Sequence, residues 1–287
     1  MILITGATGQ LGTAVIKNLL KKTSANRIAA FVRDESKASA LKGKGVNIRV
    51  GSYDDTASLH KAMQGIEKVL LIAGTDEERR LQQHQNVVDA ANKVGVQCIA
   101  YTSRNLKDPS TLANKLMKGH FQTEDYIKAS VLNYAIFRNV LYMDTLPQFV
   151  GGERVFDTGI NLPTGDGRVP FALRSEMGEA IANALLESGS SNRIYKLTGS
   201  KSYSFDDVAT TLTELSGKKV AYTNADQSVF EMRMKDRGTP EIMVQRIVGF
   251  LTDIKNGQES KASPDLKNLL GRSPASLKEG LKVLFNF

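Results

Sequence analysis

Short apolar runs recur along the first half of the chain, separated by amphipathic stretches, and this alternation reads as βαβ units laid into a parallel sheet. Residues 2–5 predict the first strand and 11–21 the first helix, with Val15, Leu19 and Leu20 turned inward. Residues 27–33 and 46–50 predict strands two and three, and 58–63 a short helix. Strand four is expected over 68–73, where the run Val69, Leu70, Leu71, Ile72 suits a sheet covered on both faces. A helix over 82–94 should end near Gly95, followed by strand five at 97–102, a helix that includes 123–129, and strand six at 133–138.

Past Phe149 the pattern changes. Gly151, Gly152, Pro163, Gly165, Gly167 and Pro170 cut the chain into short pieces before a helix expected over 175–187. A strand at 195–198 follows, then a helix over 205–215 with Ser204 as its N-cap and Gly217 closing it. Residues 218–222 predict another strand. From 227 onward the periodicity is helical, with Pro240, Pro264 and Pro274 near helix starts.

A chain of 287 residues with 41% hydrophobic content buries a substantial core, which excludes whole-chain disorder and small disulfide scaffolds. The single cysteine, Cys98, lies in the apolar run 96–100 and is expected to be structural. The opening residues lack a basic segment ahead of a long apolar one, and no stretch approaches bilayer length. The expectation is therefore a cytoplasmic protein with no membrane span. The formal charge of +8 is dispersed, aromatic content is 7%, and no basic-aromatic platform recurs, so a solvated basic surface is expected and no nucleic-acid partner.

Candidate chemistry starts at Thr5-Gly6-Ala7-Thr8-Gly9-Gln10-Leu11-Gly12, between a predicted strand and a predicted helix. In that context the glycines form a phosphate-binding turn: Gly6 for the tight bend, Gly9 for close backbone approach, Gly12 for helix packing, with free N–H groups at the helix start. No G-x-x-x-x-G-K-[ST] occurs, which argues against a P-loop nucleotidase. The fold expected is α/β: a Rossmann-type doubly wound parallel sheet over 1–149 that binds a nicotinamide dinucleotide, with a small C-terminal α/β substrate lobe over 150–287 interleaved with it. Strand two ends on Phe31-Val32-Arg33 with Lys37 following, two cations placed to meet a ribose 2′-phosphate, which favours NADP(H). Asp34 leaves NAD(H) open, since it would hold a 2′-hydroxyl if the strand ran one residue further.

Many short-chain dehydrogenases protonate the oxyanion left by hydride transfer with a tyrosine activated by a lysine four residues later. The positions four after Tyr53, Tyr101, Tyr126, Tyr134, Tyr142, Tyr195, Tyr203 and Tyr222 are Ala57, Asn105, Ser130, Arg138, Leu146, Gly199, Asp207 and Asp226. None is lysine, which points to an acceptor that needs hydride placement more than a tuned acid, such as a quinone or a delocalised cation. Pocket groups are expected at the carboxyl ends of strands four to six: Ala73 and Gly74, Thr102 and Ser103, Arg138 and Asn139 with Tyr142. His120 reads either as a hydrogen-bond partner for a substrate carbonyl or as a partly exposed residue at a helix start. Lys115 and Lys118 read as solvated. His60, His84 and His120 lack ligand spacing, so no metal is expected, and the absence of Gly-x-Ser-x-Gly removes the commonest hydrolase elbow.

The turn at 6–12, Phe31-Val32-Arg33 with 37–39, 51–54, 99–103, 120–124 and the run 137–144 together resemble the NmrA-like atypical short-chain dehydrogenases, in the bacterial branch of NAD(P)H:quinone and triphenylmethane reductases. Segments 205–207 and 215–220 extend the likeness over nearly the whole chain. The resemblance implies NADPH as hydride donor and a pocket between the two lobes. Gly6, Thr8, Gly9, Gln10 and Leu11 would hold the pyrophosphate, Arg33 the 2′-phosphate, Asp54 the adenine, and Ala73, Gly74, Tyr101, Thr102 and Ser103 the remaining cofactor edge. His120, Asn139 and Tyr142 would face a quinone-like small-molecule acceptor. The chain departs from that branch at the charged run 75–80 and at Arg104-Asn105. A redox-sensing regulator without turnover is the alternative function, and a homodimer is compatible with either.

Overall fold

The computed structural model describes residues 1–74, 76, 78–187 and 192–287; Thr75 and Glu77 of the charged run lie outside the described residues. The first half builds β1 (Ile2–Ile4), α1 (Gln10–Leu19), β2 (Ile28–Val32), α2 (Ser39–Lys42), β3 (Asn47–Val50), α3 (Thr56–Ala62), β4 (Lys68–Leu71), α4 (Arg80–Val94), β5 (Cys98–Arg104), α5 (Lys118–Ala129) and β6 (Asn133–Asn139). These follow the apolar pattern closely: β1 and β2 are buried at every position, and α4 ends on Gly95 in the left-handed conformation. Past it come the short helices α6 (Leu146–Val150) and α7 (Val155–Thr158), then β7 (Ile160–Leu162), α8 (Arg174–Leu186), β8 (Arg193–Leu197), α9 (Phe205–Ser216), β9 (Tyr222–Asn224), α10 (Gln227–Asp236), α11 (Glu241–Lys255), α12 (Asp265–Leu270) and α13 (Leu277–Phe285). Ser204 caps α9 through a reciprocal pair with Asp207.

The central sheet runs β3-β2-β1-β4-β5-β6-β8, all parallel. Strand order reverses between β1 and β4, and at such a switch point the carboxyl ends of the strands open a crevice. Alternate strand residues feed two cores. Ile4, Ala30 and Phe137 join α1, α8 and α9 on one face, while Leu3, Phe31 and Tyr101 join α3, α4 and α5 on the other. The seventh strand, β8, comes from beyond residue 150 and lies in register on β6 from Ala135↔Arg193 to Asn139↔Leu197.

One expected strand moves. Residues 218–222 are replaced by a three-residue strand at Tyr222–Asn224, paired with β7 from Ile160↔Tyr222. The reason is local: the Val220 N–H is claimed by the Thr213 hydroxyl at the end of α9 (2.9 Å), so only the later residues reach the partner strand.

Candidate active site

The turn between β1 and α1 crosses the switch point. Gly6 adopts φ +56°, a left-handed conformation that side chains strain to enter. At Gly12 a Cβ would lie 2.3 Å from the Gly6 carbonyl oxygen, so the crowding comes from the turn itself more than from helix–sheet packing. Gly9 is the N-cap of α1 and brings no side-chain cap, and no acidic residue occupies the first turn. The opening N–H groups of the helix therefore have no side-chain cap, beside a positive dipole end. Gly6, Thr8, Gly9 and Gln10 are exposed, while Leu11 and Gly12 are buried. A side chain at Gly12 would collide with the backbone of Gly6 and Ala7, so the turn keeps its shape only with glycine there.

A cleft beside the turn is lined by Thr8, Gln10, Thr13, Ala14, Asp144, Arg174 and Ser175. Its far wall was not foreseen from sequence. Arg174 opens α8, its N–H donating to Asp144 Oδ2 (2.7 Å), its guanidinium bonded to Gln10 Oε1 and lying over the Tyr142 ring at 4.4 Å. A cation in the first turn of a helix opposes the helix dipole, and the Asp144 carboxylate 3.7 Å away offsets it here.

Arg33 and Lys37 are both exposed just beyond β2. The Asp34 carboxylate accepts the N–H (3.0 Å) and hydroxyl (2.6 Å) of Ser36 through Oδ1, and those bonds hold it below the usual aspartate range. Asp54 is exposed at the end of β3 and is fixed by Gln83 Nε2 (3.1 Å) and by Arg79 at 3.5 Å.

At the exits of β4 and β5 the structure gathers Ala73, Gly74, Tyr101, Thr102 and Ser103, with their polar side chains already engaged. The Thr102 hydroxyl accepts from Ala73 N–H (3.0 Å), and the Ser103 hydroxyl donates to Glu124 (2.6 Å). Glu124 is wholly buried, and its forked bonds with Arg138 (2.9 and 2.6 Å) together with Ser103 outweigh the burial that would raise its pKa. Arg80, from the charged run, turns inward rather than to solvent: its Nε donates to the Gly74 carbonyl (3.1 Å) and a terminal nitrogen to the Leu116 carbonyl (3.3 Å).

His84, unassigned in the sequence, clamps this edge. Its Nε2 accepts from Gly74 N–H (3.3 Å), which places its proton on Nδ1, 2.9 Å from the Thr123 hydroxyl of α5. Burial, reinforced by Arg80, drives its pKa down to about 3. His120 is 6% exposed, not a solvated helix start, and its Nδ1 lies 2.9 Å from the Tyr101 hydroxyl. Burial and the charges of Arg80 and Arg104 hold it neutral, and burial raises the Tyr101 phenol so that it stays protonated. Asn139, 1% exposed, donates from Nδ2 to the Tyr142 hydroxyl (3.1 Å). A continuous line of contacts thus runs from the turn through Gln10, Arg174 and Tyr142 to Asn139 at the edge of β6. Lys115 and Lys118 are solvent-exposed.

Strand order, glycine turn and cleft define an α/β protein of the Rossmann type with a glycine-rich turn at its switch point. The chain belongs to the NmrA-like family, whose model matches residues 1–270. It is 35% identical over 287 residues to quinone oxidoreductase 2 of Escherichia coli (strain K12), covering 100% of this chain and 99% of that one. It is similar in structure to the E. coli NADPH-dependent quinone oxidoreductase complexed with NADPH, at TM-score 0.91, 34% identity and full coverage of both chains. It is also similar to the Citrobacter sp. triphenylmethane reductase complexed with NADP(H), at TM-score 0.92 and 37% identity, covering 99% of this chain and 100% of that one.

Proposed function

We propose that this chain is an NADPH-dependent reductase that delivers hydride to a quinone or similar conjugated small-molecule acceptor. One observation carries the reading: the bare amide cradle at Gly6–Gly12 is joined through Arg174 and Tyr142 to Asn139, so donor and acceptor would meet along one strand edge. NADPH seated on the cradle would supply a hydride from the nicotinamide ring. Gly6, Thr8, Gly9, Gln10, Leu11 and Gly12 would hold its diphosphate, Arg33 and Lys37 its 2′-phosphate, Asp54 its adenine end, and Ala73, Gly74 and the main chain of Tyr101, Thr102 and Ser103 its nicotinamide side. Asn139 and Tyr142 would position the acceptor, with His120 contributing a neutral hydrogen-bonding ring.

Because His120 is held uncharged, it is not an acid in the ordinary working range, and protons for the reduced acceptor come from water. Catalysis then rests on placement, as the missing tyrosine-lysine pair anticipates. The full-length likeness to named reductases favours turnover over a purely regulatory role. The test is direct: purified protein should bind NADPH saturably and accelerate its oxidation by quinones. Saturable binding with no acceleration across a panel of quinones and cationic dyes would leave only the regulator.

A further inference from the structure

The carboxyl edge of β5 and β6 holds two buried polar atoms with no hydrogen-bond partner among the described residues, Nε of Arg104 and Oδ1 of Asn139. They sit at directly paired positions, because Arg104 and Asn139 are register partners, so both side chains leave the sheet on the same face. One is a donor and the other an acceptor.

The arginine is held in place around this unmet donor. A terminal nitrogen bonds Glu259 Oε1, the other Glu259 oxygen takes the Leu141 N–H at 2.7 Å, and the guanidinium lies 5.7 Å from the Phe250 ring centroid. Glu259 is 1% exposed, so the pair is rigid. A buried polar atom left unsatisfied costs about 1–3 kcal/mol. Two of opposite kind at paired positions match a group that accepts from one and donates to the other, which is what a hydroxyl oxygen does. Arg104 also departs from the apolar segment that the resemblance leads one to expect at this place.

We propose that Arg104 is a specificity-determining residue: together with Asn139 it binds one oxygen of the acceptor and so selects quinones over cationic conjugated acceptors such as triphenylmethane dyes. This rests on the reductase reading above. The step balances as follows: a C–H bond of the dihydronicotinamide breaks, the hydride bonds to the far carbonyl oxygen of the quinone, and the displaced π electrons move through the ring, which becomes aromatic, to settle as a pair on the carbonyl oxygen beside Arg104 Nε. A proton from water converts that oxygen to a hydroxyl, which donates to Asn139 Oδ1. NADPH, a proton and quinone become NADP+ and hydroquinone. Arg104 bonds the oxygen more strongly as charge gathers there, and Asn139 Oδ1 gains its bond only once the hydroxyl exists, so both favour the reduced form over the quinone. A cationic dye offers neither charge on oxygen nor relief from the neighbouring guanidinium.

The experiment compares wild type, Arg104→Lys, which keeps the charge opposite Glu259 but loses the Nε donor, and the paired Arg104→Met/Glu259→Met, which strands no buried charge. Each is measured for NADPH affinity, for kcat/KM with a neutral benzoquinone and with a cationic triphenylmethane dye, and for the phenolate absorption of para-nitrophenol bound to NADP+-loaded protein. Wild type should prefer the quinone and make bound para-nitrophenol more acidic. Both variants should bind NADPH as wild type does, lose about 10²-fold in quinone kcat/KM and lose the acidification, while the dye rate is kept in Arg104→Lys and kept or raised in the double variant. Variants that reduce the quinone as wild type does, or a wild type that prefers the dye, would overturn the proposal and leave the reductase reading standing. Saturable NADPH binding with neither acceptor reduced would instead remove the reductase reading, and the para-nitrophenol titration would still report whether Arg104 binds an oxygen.

Discussion

Acidification provides a sharp test of the clamp between β4 and α5. His84 is fully buried and neutral, with a pKa near 3 in the folded chain against 6.5 for the ordinary side chain. Below pH 6.5 the unfolded chain takes up a proton that the folded chain refuses. The contribution of His84 is therefore complete above that pH and is lost as pH falls toward 3. At about pH 5 the proton bound only by the unfolded state is worth about 2 kcal/mol, from about 1.4 kcal/mol per pH unit. Other buried groups complicate the wild-type curve alone: burial raises Glu259 and Asp253, whose effect runs the opposite way. Comparison with His84→Gln isolates the one histidine. Urea unfolding of both proteins at about pH 7.5 and about pH 5 should show the stability gap between them narrowing by about 2 kcal/mol. A gap that is the same at both pH values would refute the assignment of a buried, neutral, Gly74-bound imidazole.

Three further outcomes are expected. Arg33→Ala should weaken NADPH by about 10- to 100-fold, the loss of one or two charge-assisted hydrogen bonds, while NADH affinity, followed by fluorescence titration, stays as it was. Gly12→Ala would press a Cβ to 2.3 Å from the Gly6 carbonyl, distorting the cradle by about 1–3 kcal/mol; NADPH affinity should fall at least tenfold with the circular dichroism spectrum unchanged. Glu124→Gln takes the charge from the fork that Arg138 and Ser103 share and should lower stability by about 3 kcal/mol, read as a reduced urea midpoint at an unchanged slope.

Much of the site was readable because it depends on neighbours in the chain. Gly6 and Gly12 answer to the turn's own backbone, and Arg33 stands one residue past a strand whose apolar run marks its end. The parts that were missed depend on distant partners. His84 has no local pattern to distinguish it from any helical histidine, yet its two nitrogens tie Gly74 to Thr123. Arg80 belongs to a run that looks solvated, and only the packing of the 114–117 segment turns it inward onto the Gly74 and Leu116 carbonyls. Arg174 lies 164 residues from Gln10 in the chain, and nothing in either segment announces their contact.

The sequence by itself determined the alternation of strands and helices, the glycine turn, the two cations that follow strand two and the want of a tyrosine-lysine pair, because each is written within a few residues where sterics and periodicity act. Tertiary structure decided which residues meet above the sheet edge: it brought β8 back beside β6, set Arg174 against the turn, paired Arg104 with Asn139 and buried His84 and His120 as neutral rings. Those outcomes follow from strand register and from the exclusion of water, both of which exist only once the chain has closed on itself.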